Sequence, residues 1–206
     1  MVAALILAVT PGPGIFYVAA RSLAGGRAEG IASSLGTGLG GMVHVAAGSF
    51  GVSAIVLASA ELFTALKLVG AGYLIWLGLR TLRDARRATI AVLGSGAAVP
   101  PVGVRQAFRE GVLVEALNPK TAAFFLAFVP QFVDPGAGEV ALQFAVLGVI
   151  SVAFNTIADV VVAFAAGGVR AGLTARPGLV RRLREASGAV MMALGLGLAL
   201  ARRPGN

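Results

Sequence analysis

Along this chain, apolar runs of about twenty residues alternate with short connections rich in arginine, glycine and proline. A helix needs about 20 apolar residues to cross the ~30 Å hydrocarbon core of a bilayer. Six runs meet that length, at roughly 1–22, 36–58, 62–82, 109–132, 140–166 and 186–203. Two of them are interrupted. The first contains Pro11-Gly12-Pro13-Gly14, and the fourth, "VEALNPKTAAFFLAFVPQF" (114–132), carries Asn118-Pro119-Lys120. Proline removes a helical hydrogen bond and clashes with the preceding turn, and a lysine in hydrocarbon is costly. Both interruptions need a compensating environment.

The pattern predicts an all-α polytopic membrane protein with six transmembrane helices in a single domain over 1–206. Three spans per half would make duplicated halves inverted, at about 1–86 and 105–203, joined by a cytoplasmic linker over 83–107. Spans 1 and 4, the equivalent members, are the two broken at proline. Breaks at matched places in two halves point to a transporter's midplane site. The freed backbone N–H and C=O groups must face protein, water or a ligand, because lipid cannot satisfy them. Half-helix ends also carry partial charges suited to carboxylate and ammonium groups. A packing kink without a ligand is the competing explanation for either break alone.

Composition supports the membrane reading. The chain is 57% hydrophobic and 13% charged, with a mean hydropathy of +0.88, against about 25% charged in an ordinary soluble domain. The net charge of +8 does not indicate a nucleic-acid partner, because the basic residues cluster between apolar runs. Residues 1–10 lack a basic leader and run into the prolines, which argues against a cleaved signal peptide. Cysteine is absent, so disulfides and thiolate metal sites are excluded.

Arginine also sets the orientation. Thirteen arginines fall in connections 1–2, 3–4 and 5–6, against Arg202 and Arg203 on the other side. The positive-inside rule then places those connections in the cytoplasm and both termini outside. Fifteen arginines to two lysines suit a GC-rich bacterial genome, hence a bacterial inner membrane.

The ordered motifs "PGPG", "GIASSLGTGLGGMVHVAAGSFG", "LKLVGAGYLIWLGLRTLR" and "FREGVLVEALNPKTAAFFLAFVPQFV" together resemble the LysE/RhtB family of amino-acid exporters. The resemblance runs from residue 11 to about 133, and spans 5 and 6 match in hydrophobicity alone. It implies secondary-active efflux of amino acids or small derivatives, driven by the proton-motive force and without a cofactor. Glu115 departs from the family pattern, where a small or amide residue is expected before Asn118. An acid there favours a cationic substrate or provides a proton site.

Ionisable groups inside spans are expensive and mark function by default. The substrate-binding candidates are Pro11, Gly12, Pro13, Gly14, Glu115, Asn118, Pro119 and Lys120. Glu115, Asn118 and Thr121 step by three and share a face. Lys120 points elsewhere, as a fixed cation for a substrate carboxylate, as a partner that holds Glu115 or Asp159, or as a tether for freed carbonyls. Ser151, Asn155 and Asp159 step by four and should face the bundle interior. Asp159, Asn155 and His44 are the proton-coupling candidates. His44 lies on the row Gly36, Gly40, His44, Gly48, where small residues let helices approach closely. A hydrogen-bonded interior histidine is the plainer explanation for it.

Other classes fit less well. An enzyme would need paired aspartates, a zinc helix or a nucleophile with its base, and an ion channel would show clustered acids. A scaffold gains nothing from matched breaks. Gly36, Gly38 and Gly41 match a dinucleotide-loop spacing, but no strand precedes them. The expected partners are an amino-acid substrate, protons and the lipid bilayer, with a homo-oligomer left open.

Overall fold

The computed structural model describes residues 10, 12–52, 59–94, 100–168 and 177–200. Pro11 and most of the stretch before it, which belong to the first expected span, lie outside the described residues. Six α-helices follow in order: α1 (Pro13–Ala47), α2 (Ala60–Gly94), α3 (Val104–Ala116), α4 (Pro119–Ala123), α5 (Val140–Gly168) and α6 (Pro177–Leu200). A π-helical turn, Phe124–Phe128, and a 3-10 turn, Val129–Phe132, extend α4. The described chain is helical apart from turns and connections.

Two helices, Glu61–Asp84 and Val140–Ala166, are each long and apolar enough to cross a membrane. Val104–Ala116 and Pro119–Phe132 qualify together as one span bent by 41°. The bend falls at Asn118-Pro119. Proline opens α4 at its first position, where its missing N–H costs nothing, and the extended Asn118 accepts a hydrogen bond from Lys120 N at its side chain.

α1 is two helices joined at a corner. Gly26 has φ +77° and ψ −168°, a left-handed conformation that glycine adopts without strain. A Cβ built on Gly30 would collide with Ser22 Oγ, and one on Gly14 would lie 3.7 Å from Thr37 Cγ2. Arms 13–25 and 27–47 therefore run antiparallel. This corrects two expected boundaries. Residues 23–35, read as a connection, are helical apart from the Gly26 corner, and Ser33 and Ser34 satisfy their buried hydroxyls on Glu29 O and Gly30 O one turn back. Residues 83–94 of the expected linker extend α2, helped by the exposed Arg80–Asp84 pair at 3.7 Å.

Glycine sets how the helices meet. Gly36 and Gly40 in the second arm of α1 face Phe108 O and Val112 O of α3, so these helices run parallel. On its other side, Gly38, Gly41 and Gly48 face Thr156, Val152 and Phe144 of α5, which runs antiparallel. Gly78 of α2 and Gly188 of α6 each face the other's carbonyl, at 2.6 and 2.7 Å from the built Cβ. With α3 and α4 taken as one, the six helical segments alternate in direction.

The two ends of the bundle are closed by different chemistry. At one end Val45, Phe63, Phe124, Phe125, Val129, Val133, Val140 and Phe144 form an apolar cluster. At the other, Glu29 Oε1 accepts from Val102 N at 3.0 Å and Gly103 N at 2.7 Å. A carboxylate from the α1 corner thus satisfies amides at the start of α3, where the helix dipole favours negative charge. Alongside, Arg21 pairs with Glu110 at 3.0 Å and donates to Pro100 O. Tyr17 Oη lies 2.9 Å from Ala107 O and 3.0 Å from Glu110 Oε2, with one proton to share.

The α1–α3 seam should not tolerate a side chain. Gly40→Val would drive a branched side chain into Val112 O. It should lower stability by about 1–3 kcal/mol, the usual range for overpacking. Thermal unfolding of the detergent-purified variant against Gly40→Ala checks this, with the valine variant melting at the lower temperature.

Candidate functional site

The two proline breaks lie against each other. Lys120, at the second position of α4, reaches back with Nζ donating to Thr10 O at 2.9 Å. Its side chain passes so close to Gly12 that a Cβ there would lie 2.9 Å from Nζ. Gly14 is equally close to Glu115, with a built Cβ 2.7 Å from Oε2. Glycines at 12 and 14 therefore leave room for the lysine and the glutamate. Lys120 thus bonds a carbonyl beside the first break.

Glu115 ends the last turn of α3, and its carboxylate spans the gap to α4. Oε2 accepts from Asn118 Nδ2 at 2.9 Å, and Oε1 accepts from Thr121 Oγ1 at 2.6 Å. The expected face of Glu115, Asn118 and Thr121 is thus assembled, and all three are buried. Glu115 O accepts from Asn118 N at 3.0 Å and from His44 at 2.9 Å. A carbonyl can only accept, so His44 Nε2 carries a proton. His44 also stacks on Phe125, with centroids 6.0 Å apart.

The polar stripe of α5 faces inward. Asp159 is fully buried, and its Oδ2 lies 2.7 Å from Thr37 Oγ1 and 3.4 Å from Asn155 Nδ2. Oδ1 has no partner among the described residues. Ser151, two turns earlier, returns its hydroxyl to Leu147 O.

A cleft of about 290 Å³, its open part included, joins the two groups. Glu115, Thr121 and Phe125 line one wall, Ser151 and Asn155 the opposite wall, and Thr37 the bridge between them. Its enclosed part has room for about one water molecule. The described residues hold no group of three or more metal-ligating side chains.

The structure places Gly12, Pro13, Gly14, Glu115, Asn118, Pro119, Lys120 and His44 around the apposed breaks, and Asn155 and Asp159 across the cleft; Pro11 lies outside the described residues. Sequence reasoning missed Thr37 and Glu29. Both sit in a glycine- and serine-rich stretch, and their partners are 122 and 73 residues away. An acid among arginines was the one available signal for Glu29, and Asp84 and Glu185 carry it equally.

Comparison with known proteins decides the family. The LysE type translocator family model matches residues 5–202. The chain belongs to this family. LysE type translocators are transporters and not enzymes, and the chain is a multi-pass membrane protein. It is 30% identical to the homoserine/homoserine lactone efflux protein of Salmonella typhimurium, covering 96% of this chain and 92% of that protein. It is 26% identical to the leucine efflux protein of Salmonella choleraesuis over 71% of this chain and 68% of that one. A membrane protein of Pseudomonas aeruginosa is 39% identical, over 68% of this chain and 65% of its own length. No solved structure matches.

Asn118 carries both sides of the second break, capping α4 through its oxygen and holding Glu115 through its nitrogen. Asn118→Ala should cost about 0.5–2 kcal/mol of stability, the range for a lost N-cap, and should also free the Glu115 carboxylate. Asn118→Asp keeps the cap acceptor but sets a second acid beside Glu115. Flux assays should therefore show loss of transport in both variants, with thermal unfolding showing the larger loss of cap stability in Asn118→Ala.

Proposed function

We propose that this LysE type translocator exports amino acids or small amino-acid derivatives from the cytoplasm in exchange for protons. The carrying observation is the pair of apposed helix breaks whose Glu115–Asn118–Thr121 cluster opens on a cleft leading to buried Asp159. Backbone groups released at a break, together with a carboxylate, an amide and a hydroxyl, suit the charged ends of an amino acid. The relatives named for homoserine and leucine efflux support the same substrate class.

The packing supports a membrane arrangement. Six alternating segments support six spans, and the arginine distribution puts the Glu29 end in the cytoplasm with both termini outside. The inverted halves are supported by proline at the first helical position of both α1 and α4. The reciprocal approach of Gly78 and Gly188 adds to this, since it joins the third span of each half. Substrate would enter from the clamp end, bind at the breaks and leave through the aromatic end as it opens. The narrow cleft then corresponds to a state with both ends closed.

Export against a gradient needs an energy source, and the chain contains no phosphate-binding loop for ATP. The coupling group must titrate while facing each side in turn, which arginine cannot do. Asp159 takes that role, with Asn155 beside it. Lys120 holds the first break, and Glu115 contacts the substrate's cationic end. His44 is a helix-contact group whose proton is committed to Glu115 O.

Tags at residue 206 and near residues 60 and 136 should report the extracytoplasmic side, and a tag near 95 the cytoplasm. If residues 95 and 136 report one side, six spans are wrong. Transport is tested with labelled homoserine and leucine in proteoliposomes, with and without an imposed pH gradient. Asp159→Asn should abolish gradient-driven accumulation and keep exchange of substrate for substrate. Glu115→Gln should alter substrate preference more than coupling. A full response of Asp159→Asn to the gradient would remove Asp159 from the coupling role, and ion current without amino-acid flux would replace the exporter by a channel.

A further inference from the structure

Thr37 has one hydroxyl proton and two acceptors. Its Oγ1 lies 2.9 Å from Ser34 O and 2.7 Å from Asp159 Oδ2. Ser34 O is a backbone carbonyl and can only accept. An ionised Asp159 is also acceptor-only. One proton can then serve both contacts only as a three-centre bond, weaker than two full ones. A protonated Asp159 removes that shortage: its O–H donates to Thr37 Oγ1, whose own O–H donates to Ser34 O.

A second count leads to the same state. Asp159 is 0% exposed, its Oδ1 has no partner among the described residues, and Asn155 approaches Oδ2 only at 3.4 Å. A buried carboxylate needs several donors to offset its desolvation, and this one has a shared hydroxyl and a long amide contact. A neutral carboxyl needs far less. The other ionisable groups within electrostatic reach are Glu115, on the opposite wall of the cleft, and Lys120.

From this geometry we infer that Asp159 holds its proton in this conformation, and that Thr37 is the positioning residue whose hydroxyl reverses when the proton leaves. In the protonated state Thr37 accepts from Asp159 and donates to Ser34 O. When the Asp159 O–H bond breaks and the proton passes to water in the cleft, the Thr37 hydroxyl turns to donate to the carboxylate and Ser34 O loses that bond. One proton leaves and no other covalent bond changes. Thr37 lies at the junction of the helices that carry both breaks: a Cβ on Gly14 would touch its methyl, and one on Gly111 of α3 would lie 3.2 Å from its backbone N.

This rests on Asp159 as the coupling group, and the experiment separates the two claims. Infrared difference spectroscopy of the purified protein in D2O reads the carboxylic C=O stretch as pH is raised. The wild type should show near neutral pH a band that Asp159→Asn removes. Thr37→Val removes an acceptor from the acid and a donor from the carboxylate, and the charge-assisted bond is the stronger, so the band should persist to higher pH. Gradient-driven uptake of labelled homoserine and leucine should move its midpoint up by about one pH unit, the difference between the two lost hydrogen bonds. Thr37→Ser should restore both. Thr37→Ala, which adds no bulk, carries the same expectation where the valine variant does not fold. Absence of the Asp159-dependent band in the wild type overturns the protonated state. An unmoved titration in both Thr37→Val and Thr37→Ala leaves Thr37 structural, even where Asp159→Asn uncouples transport. If Asp159→Asn instead keeps its full response to the gradient, the coupling assignment fails on its own.

Discussion

Backbone polar groups cannot be left bare at membrane depth, and two interrupted helices create several of them at once. The structure meets this demand by pressing the interruptions together. Lys120 from one break satisfies Thr10 O beside the other, and Asn118 caps the helix that Pro119 starts. Glu115 then holds Asn118 and Thr121 in place. Each group is expensive to bury alone; the set is mutually satisfied. The cost of the breaks thus becomes a polar cluster in an otherwise apolar bundle.

That cluster could not form at ordinary helix spacing. Glycines along the second arm of α1 bring its backbone against α3 on one side and α5 on the other. Without side chains at these places, Thr37 can reach Asp159 and His44 can reach Glu115 O. Close approach replaces the hydrophobic effect, which offers little between helices in lipid. The ends are then sealed by what is locally available: aromatic rings at one, ion pairs and backbone caps at the other.

Local patterns made part of this legible from sequence. The run 140–166 is apolar apart from a few polar residues and meets helix α5 almost residue for residue. Asn118-Pro119 announced its own bend, and the three-residue steps from Glu115 to Thr121 announced their cluster. The corner at Gly26 was hidden because Ser33 and Ser34 resemble loop residues until their hydroxyls are seen returning to the helix. The continuation of α2 past residue 83 was hidden for a similar reason: an arginine-rich stretch reads as a linker whether or not it is helical. Thr37 was illegible, since a threonine among glycines acquires chemistry only from an aspartate 122 residues away. Long-range pairing leaves no trace in periodicity.

Glu29 has a consequence for how the chain is made. Its two amide partners lie 73 and 74 residues later, so the first helical pair leaves the ribosome long before the groups that its carboxylate will bind exist. Until α3 arrives, burying that charge would be costly. Only when residues 102 and 103 follow does that carboxylate gain the two amide donors it holds in the folded protein. This end of the bundle is thus fastened by chain made after α2, not by the hairpin that carries the acid.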